Sequence, residues 1–420
     1  MPLLKERRNR RFIKYHTIAP ILRALRNARG QGLKNEGVKL KRFNDRSRET
    51  FFGYFDICPL NANGRELLAH SVESLSRQPG KTNVARIGFF RRDAPGEFVV
   101  LDETSSWCWQ MGARLRWFPN PSGRQVAYSK PVETGQGTVV RDIDTGAVVK
   151  EIPYPLFDVA PDGKWGLSTD MERLEIMRPG YGYEPLSPNA DCVRVPEHDG
   201  VMRVDLESGE ARQIISLHQL AELGDAAKMH DAWHYVNCLS ISPHAERIFF
   251  LHIWLRTPDA PMDMQARVIT ARPDGSELTA MCDFGLPSHI CWQGDDHCVV
   301  FNVLDPTGSG EYSRFHVTDG YIGELWPNLP KFNGHQTFSP DGRFLLTDSY
   351  PDKYFEQQLL LFGEDSSARV LGRFKAPPQY LDELRCDLHP RWSVSGTQII
   401  FDSTHDGSRA IYVMELDGNA

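Results

Sequence analysis

Two stretches near the C-terminus of this chain are copies of one another. One runs Gly334-His335-Gln336-Thr337-Phe338-Ser339-Pro340-Asp341-Gly342 and continues to Ser349; the other runs from Leu388 through Gly396 to Ser403. Matched positions lie 54 residues apart throughout: His335 with His389, Ser339 with Ser393, Gly342 with Gly396, Asp348 with Asp402. A fixed period in this range marks a propeller or a solenoid. Each copy reads as a β-hairpin. In the first copy Pro340 presets φ at the second turn position, where the second copy has Val394, and in both a glycine ends the turn where positive φ is needed. The histidine opens the first strand and the aspartate closes the second, so both fall at the open end of the hairpin.

Used as a ruler, this hairpin divides residues 51–416 into seven units. The first spans 51–104, with Asn61-Ala62-Asn63-Gly64 as its turn. The second turns at Asn120-Pro121-Ser122-Gly123. The third turns at Ala160-Pro161-Asp162-Gly163 and carries a long polar insertion over 179–200. A helix-like patch over 217–228 leads to the fourth, whose paired strands are expected at 237–242 and 247–252. The fifth pairs 290–292 with 298–302, and the opening repeat supplies the sixth and seventh. Short apolar strands at regular spacing with turns between them indicate an all-β chain. A seven-bladed β-propeller spends 420 residues on one closed body and leaves only short sheet edges exposed.

Residues 1–45 stand apart as a basic, partly helical N-terminal extension. Arg7, Arg8, Arg10, Arg11, Lys14, Arg23 and Arg26 alternate with Ile13, Ile18, Ile21, Leu22 and Leu25. The segment lacks the apolar core and cleavage site of a secretory signal, so a cytoplasmic location is expected. It reads as a solvated or packing segment, with contact to a membrane surface or an anionic partner as the alternative. The net charge of −7 argues against bulk nucleic-acid binding. Eight scattered cysteines without a Cys-x-x-Cys pair point to neither a zinc ribbon nor a disulfide scaffold. No apolar run is long enough to span a bilayer as a helix.

Because paired strands are antiparallel, the start of each innermost strand and the end of each second strand share one face. That rim collects His289, His335 and His389 at strand starts, with Arg116 and Tyr54 at similar places. At the strand ends come His70, Ser129, Thr169, His252, Asn302, Asp348 and Asp402, with Asp170, Arg256, Asp352 and His405 just beyond. One such histidine is ordinarily a satisfied structural group. Three in register in consecutive blades converge on one axis, and neutral imidazoles with nearby carboxylates suit a divalent cation such as Mn or Zn. His289, His335 and His389 are the expected ligands. His234, in the connection entering the fourth blade, is expected to act as general base against a structural alternative. A zincin site is excluded, because Asp231-Ala232-Trp233 replaces the required glutamate spacing between His230 and His234. No Walker loop, Rossmann fingerprint or nucleophile elbow is present. Asp348 and Asp402 would be the carboxylates of a hydrolase, but aspartates at repeated strand ends are commonly turn formers.

Ser339-Pro340-Asp341-Gly342, with looser copies at Ala160-Pro161-Asp162-Gly163 and Ser242-Pro243, resembles the TolB-type propeller repeat. Gly334-His335, Asp387-Leu388-His389-Pro390 and Thr404-His405-Asp406-Gly407 resemble segments of oligogalacturonate lyases and related propeller lyases. That resemblance implies a metal-assisted lyase acting on an acidic, uronate-containing oligo- or polysaccharide. β-Elimination removes a proton beside a carboxylate, which requires the carboxylate charge to be neutralised and the enolate-like intermediate to be held. The expected parts are the cation on the three histidines, His234 or Tyr54 in proton transfer, and Arg116 or Arg256 on the carboxylate. The alternative is a non-catalytic propeller that binds a glycan or a protein, as in polysaccharide synthesis, with rim aromatics such as Trp107, Trp109, Trp233 and Trp254 stacking on sugars.

Overall fold

The computed structural model of the protein describes residues 39–416, except 74, 76–78, 81, 188–192 and 306–307. Seven four-stranded antiparallel sheets follow one another around a central channel. Their innermost strands are Glu49–Phe51, Arg116–Trp117, Leu156–Val159, Trp233–Ile241, Leu286–Trp292, Thr337–Phe338 and Arg391–Trp392. The expected all-β propeller with seven blades is therefore the fold. The basic N-terminal stretch lies outside the described residues up to position 38. Its last part does not stand apart from the blades: Leu40–Phe43 pairs with Ala410–Glu415 and supplies the outer strand of blade seven. The ring is thus closed by one strand from near the N-terminus and three from the C-terminus, and Phe43 is fully buried in that closure.

The repeated turn explains why the hairpins form where they do. Gly342 donates its N–H to the Ser339 carbonyl at 2.8 Å, and Gly396 donates to the Ser393 carbonyl at 2.9 Å. Both glycines sit at positive φ, 74° and 70°, where a Cβ is disfavoured. The serine hydroxyls fix the next strand by accepting from the Phe344 N–H at 3.0 Å and the Gln398 N–H at 3.1 Å. Blade three uses the same turn with Ala160 and Gly163 (2.8 Å), and blade four uses it with Ser242 and Ala245 (2.9 Å).

Two features modify the expected layout. The first strand of blade four begins at Trp233 rather than near 237, with a register shift between Asn237 and Ser240 where Cys238 adopts a φ of 54°. The patch over 217–228 becomes two short helices, Leu217–Glu222 and Ala226–Met229, interrupted at Gly224 (φ 77°). The blade-three insertion opens with a third helix, Met171–Met177, capped by Asp170, whose carboxylate accepts from the Glu172 and Arg173 N–H groups at 2.9 Å each. Arg173 ties this helix to the body through the carbonyls of His234 (2.7 Å), Val193 (2.8 Å) and Arg194 (2.9 Å).

Candidate metal-binding site at the channel rim

His289, His335 and His389 meet on the axis, as their shared register requires. Ring centroids are 4.2 Å apart for His289 and His335, and 4.2 Å for His335 and His389. All three are buried. Tyr54 joins them with its ring 5.1 Å from His389, and Phe55 lies 5.2 to 6.2 Å from all three imidazoles. Tyr54 and Phe55 also line a cavity of about 200 Å³ with Cys238, Trp292 and Phe338.

The hydrogen bonds assign the ring nitrogens. His389 Nδ1 lies 2.7 Å from the Gly53 carbonyl, which can only accept, so Nδ1 carries the proton. Its Nε2 then carries a lone pair, and that buried atom has no hydrogen-bond partner. His335 Nδ1 faces the Asp348 carboxylate at 2.9 and 3.1 Å, which likewise directs the Nε2 lone pair away. Asp387, two residues before His389 and fully enclosed, completes a group: one donor atom each from His335, Asp387 and His389 lie within 4.8 Å of one another. A carboxylate or carbonyl on the far nitrogen of each imidazole is the usual support of a histidine ligand. An orphaned lone pair, a second imidazole and a carboxylate therefore fit a divalent cation.

Charge supports the same reading. Burial opposes ionisation of Asp387, but the Arg385 guanidinium, bonded at 2.7 and 2.8 Å, holds its carboxyl below the usual range. Burial, and then the neighbouring His335, hold His289 and His389 well below the ordinary imidazole value, so both are neutral. His289 is placed differently from the other two. Its Nδ1 is 3.2 Å from the Ser288 hydroxyl and its Nε2 is 3.4 Å from the Tyr350 hydroxyl. It borders the donor group without belonging to it.

The other expected residues go elsewhere. His234 lies within a strand rather than in a flexible connection and is fully buried. Its Nδ1 meets His252 Nε2 at 2.9 Å, its Nε2 meets the Met229 carbonyl at 3.3 Å, and Arg267 donates to His252 Nδ1 at 3.1 Å. This chain of three groups is internal to blade four and, among the described residues, shares no hydrogen bond or ring contact with the rim histidines. Arg116 is buried against Asp158 (2.8 Å) and the Phe157 carbonyl (2.5 Å). Arg256 lies on the surface, bonded to the carbonyls of His230 and Lys228. Asp348 and Asp402 do not form a hydrolase pair. Asp348 accepts from the His335 and His389 N–H groups, and Asp402 accepts from the Phe52 and Gly53 N–H groups at 3.1 Å each.

Sequence reasoning overlooked Asp387, Arg385, Arg178, Tyr181 and Tyr350. Asp387 stands two residues before His389 in the connection that precedes the Arg391–Trp392 strand, so no strand alternation marked it in the sequence. Arg178 and Tyr181 come from the blade-three insertion and carried no repeat signal. Tyr181 accepts from Arg385 Nη2 at 3.5 Å, and Arg385 lies 5.0 Å from the Tyr350 ring centre.

No protein-family model matches the chain, and no curated protein sequence does. Solved structures do. An oligogalacturonate lyase from Vibrio parahaemolyticus aligns over 91% of this chain and 97% of its own, at 14% identity and a TM-score of 0.60. An oligogalacturonate lyase in complex with manganese aligns over the same shares, at 15% identity and a TM-score of 0.57. TolB from Acinetobacter baumannii aligns over 74% of this chain and 63% of its own, at 13% identity and a TM-score of 0.40, too loosely to add to the argument. At these identities the likeness concerns architecture: this chain shares the seven-bladed propeller fold of the oligogalacturonate lyases.

Proposed function

We propose that the protein is a metal-assisted lyase that cleaves a uronate-containing oligo- or polysaccharide by β-elimination. The observation that carries this reading is the orphaned, buried Nε2 of His389 beside His335 and Asp387, at the end of the channel framed by Arg385 and Tyr350. The manganese in one structurally similar lyase supports it.

His335, Asp387 and His389 would hold the cation, Mn or Zn by donor chemistry. A divalent cation bound there supplies positive charge that neutralises a substrate carboxylate and acidifies the neighbouring C–H. Arg385 adds a fixed guanidinium on the same side. His289, neutral and with its Nε2 3.4 Å from the Tyr350 hydroxyl, is placed to take the proton. The electrons of the broken C–H bond form the new C=C bond as the C–O bond to the leaving sugar breaks, and that oxygen departs with a proton. Tyr54 suits the donor's part, because burial, and then Cys238, raise its phenol well above the ordinary value and keep it protonated. Phe55 shields the imidazoles from water entering along the channel. In this reading His234, Arg116 and Arg256 support the fold around the site.

The test is metal analysis of protein purified without chelators, together with ultraviolet absorbance of an unsaturated uronate product. About one divalent ion per chain and product formation are expected. A protein that carries no metal, takes up none on titration and cleaves no uronate glycan would be a binding platform instead. No helix among the described residues is long and apolar enough to cross a membrane.

A further inference from the structure

His297 opens the second strand of blade five and His316 ends the third, and the register sets them directly opposite one another. They lie at the hairpin end of the blade, on the face of the ring away from the channel histidines. The Val317 N–H donates to the Asp296 carbonyl at 2.9 Å. That neighbouring pair carries the ladder bond, so His297 and His316 form a non-hydrogen-bonded pair, in which side chains stand closest. Their ring centres are 5.1 Å apart with the planes at 74°, and both residues are half-buried. The spacing fits one ion. A zinc–nitrogen bond of about 2.0–2.1 Å puts the ion about 3.2 Å from an imidazole centre. Two centres 5.1 Å apart then subtend roughly 107° at the ion, near the tetrahedral angle.

The ring nitrogens are open to a ligand's part. His297 makes no side-chain hydrogen bond among the described residues. Burial, then the charges of Arg314 and His316, hold it below the ordinary imidazole value against the pull of Asp296, so it is neutral. On His316, Nδ1 lies 3.0 Å from the Thr318 hydroxyl and 3.2 Å from the Asp319 carboxylate. The hydroxyl gives its own proton to Asp319 at 2.9 Å. Both oxygens therefore accept from the Nδ1–H, and the Nε2 lone pair is left over. The Asp319 N–H, 3.3 Å from the same nitrogen, is the longest of these contacts. A carboxylate behind the far nitrogen is the usual backing of a histidine ligand.

We propose that His297 and His316 form a second divalent-cation site, a two-imidazole chelate that fastens the second strand of blade five to the third. Nitrogen donors select a borderline ion such as Zn over Ca or Mg, and water completes the coordination. The site is separate from the channel rim and does not depend on the lyase reading. Two half-buried ligands hold an ion less tightly than an enclosed group of three, so this ion is gained on titration rather than carried through purification.

The experiment titrates the chelator-treated full chain calorimetrically with zinc chloride. Two binding events per chain are expected, one lost in His335→Ala and the other in His297→Gln or in His316→Gln. Removing either imidazole of the pair should weaken its event by about a hundredfold or more, the upper end of what loss of a mere support costs. His244→Gln removes an exposed histidine of the same face and should leave both events in place. Saturating zinc should raise the thermal midpoint of the wild type more than that of His297→Gln. Unchanged zinc binding in both His297→Gln and His316→Gln would overturn the site. An equal loss in His244→Gln would do the same, since it marks adventitious surface binding. A single event that His297→Gln abolishes and His335→Ala spares would keep this site and remove the rim cation.

Discussion

The carboxylate of Asp348, at the end of the second strand of blade six, accepts the backbone N–H of His389 in blade seven at 3.1 Å. His389 needs that anchor, since it holds a left-handed φ of 44° unusual for a residue with a Cβ. The same carboxylate binds the His335 N–H at 2.7 Å and the His335 imidazole, so one side chain sets the spacing of both ligands. The device recurs around the ring: Asp402 grips Phe52 and Gly53 of blade one, and His70 Nε2 accepts from the Ala113 N–H at 2.9 Å.

Asp348→Asn should therefore damage the fold and the site together. An amide offers donors where three N–H groups need an acceptor. Loss of about 3 kcal/mol is expected from breaking a buried charged network, read by denaturant unfolding. Metal affinity, measured by competition with a chelator, should fall about ten- to a hundredfold through loss of ligand support.

Asp387→Asn preserves shape but removes the charge among the three donors. Metal content after dialysis should drop, and His335→Ala should do the same while also lowering activity. Inductively coupled plasma analysis of both variants checks this. Full metal retention in both would place the cation elsewhere.

Acid should loosen blade four. Burial, with the charges of Arg173 and Arg267 and against the Met229 hydrogen bond, leaves the His234 pKa lowered to about 4, and burial with Arg267 puts His252 well below its ordinary value. Each must stay neutral, because His252 Nδ1 accepts from Arg267. Their contribution to stability is fully present above the unfolded imidazole value, about 6.5. It declines as pH falls from there toward 4, because the unfolded chain takes up protons that the folded chain refuses. His234→Gln should flatten that part of the stability–pH curve, measured by urea midpoints between pH 7 and 4.

Gly342→Val and Gly396→Val should each cost about 1 kcal/mol or more. A Cβ at Gly342 meets nothing within 4 Å, so backbone strain alone is tested there. Unchanged melting of both variants would contradict the turn.

Phe43→Ala tests the ring closure. Its side chain is fully buried, with the Phe90 ring 5.8 Å away. A loss of about 3–5 kcal/mol is expected for removing a core phenylalanine, visible as a lower thermal midpoint.

The chain's own pattern determined the hairpin, the count of seven blades and the meeting of His289, His335 and His389 on one rim. These follow from local turn chemistry and a period of two along each strand, both properties of short segments. The closing strand Leu40–Phe43 was not legible, because its partner Ala410–Glu415 lies at the far end of the sequence and no repeat marks it. The fate of His234 was equally hidden: its alignment with His252 depends on where blade four begins, and extending that strand back to Trp233 turned a supposed rim base into a buried pair. Asp387 and its ion-pair partner Arg385 come from the connection before the Arg391–Trp392 strand, and Arg178 from the end of the helix that Arg173 ties to the His234 carbonyl, none of which the repeat marks. Which histidines carry spare lone pairs was decided by Gly53 and Asp348, a carbonyl and a carboxylate brought to them only when the ring closes.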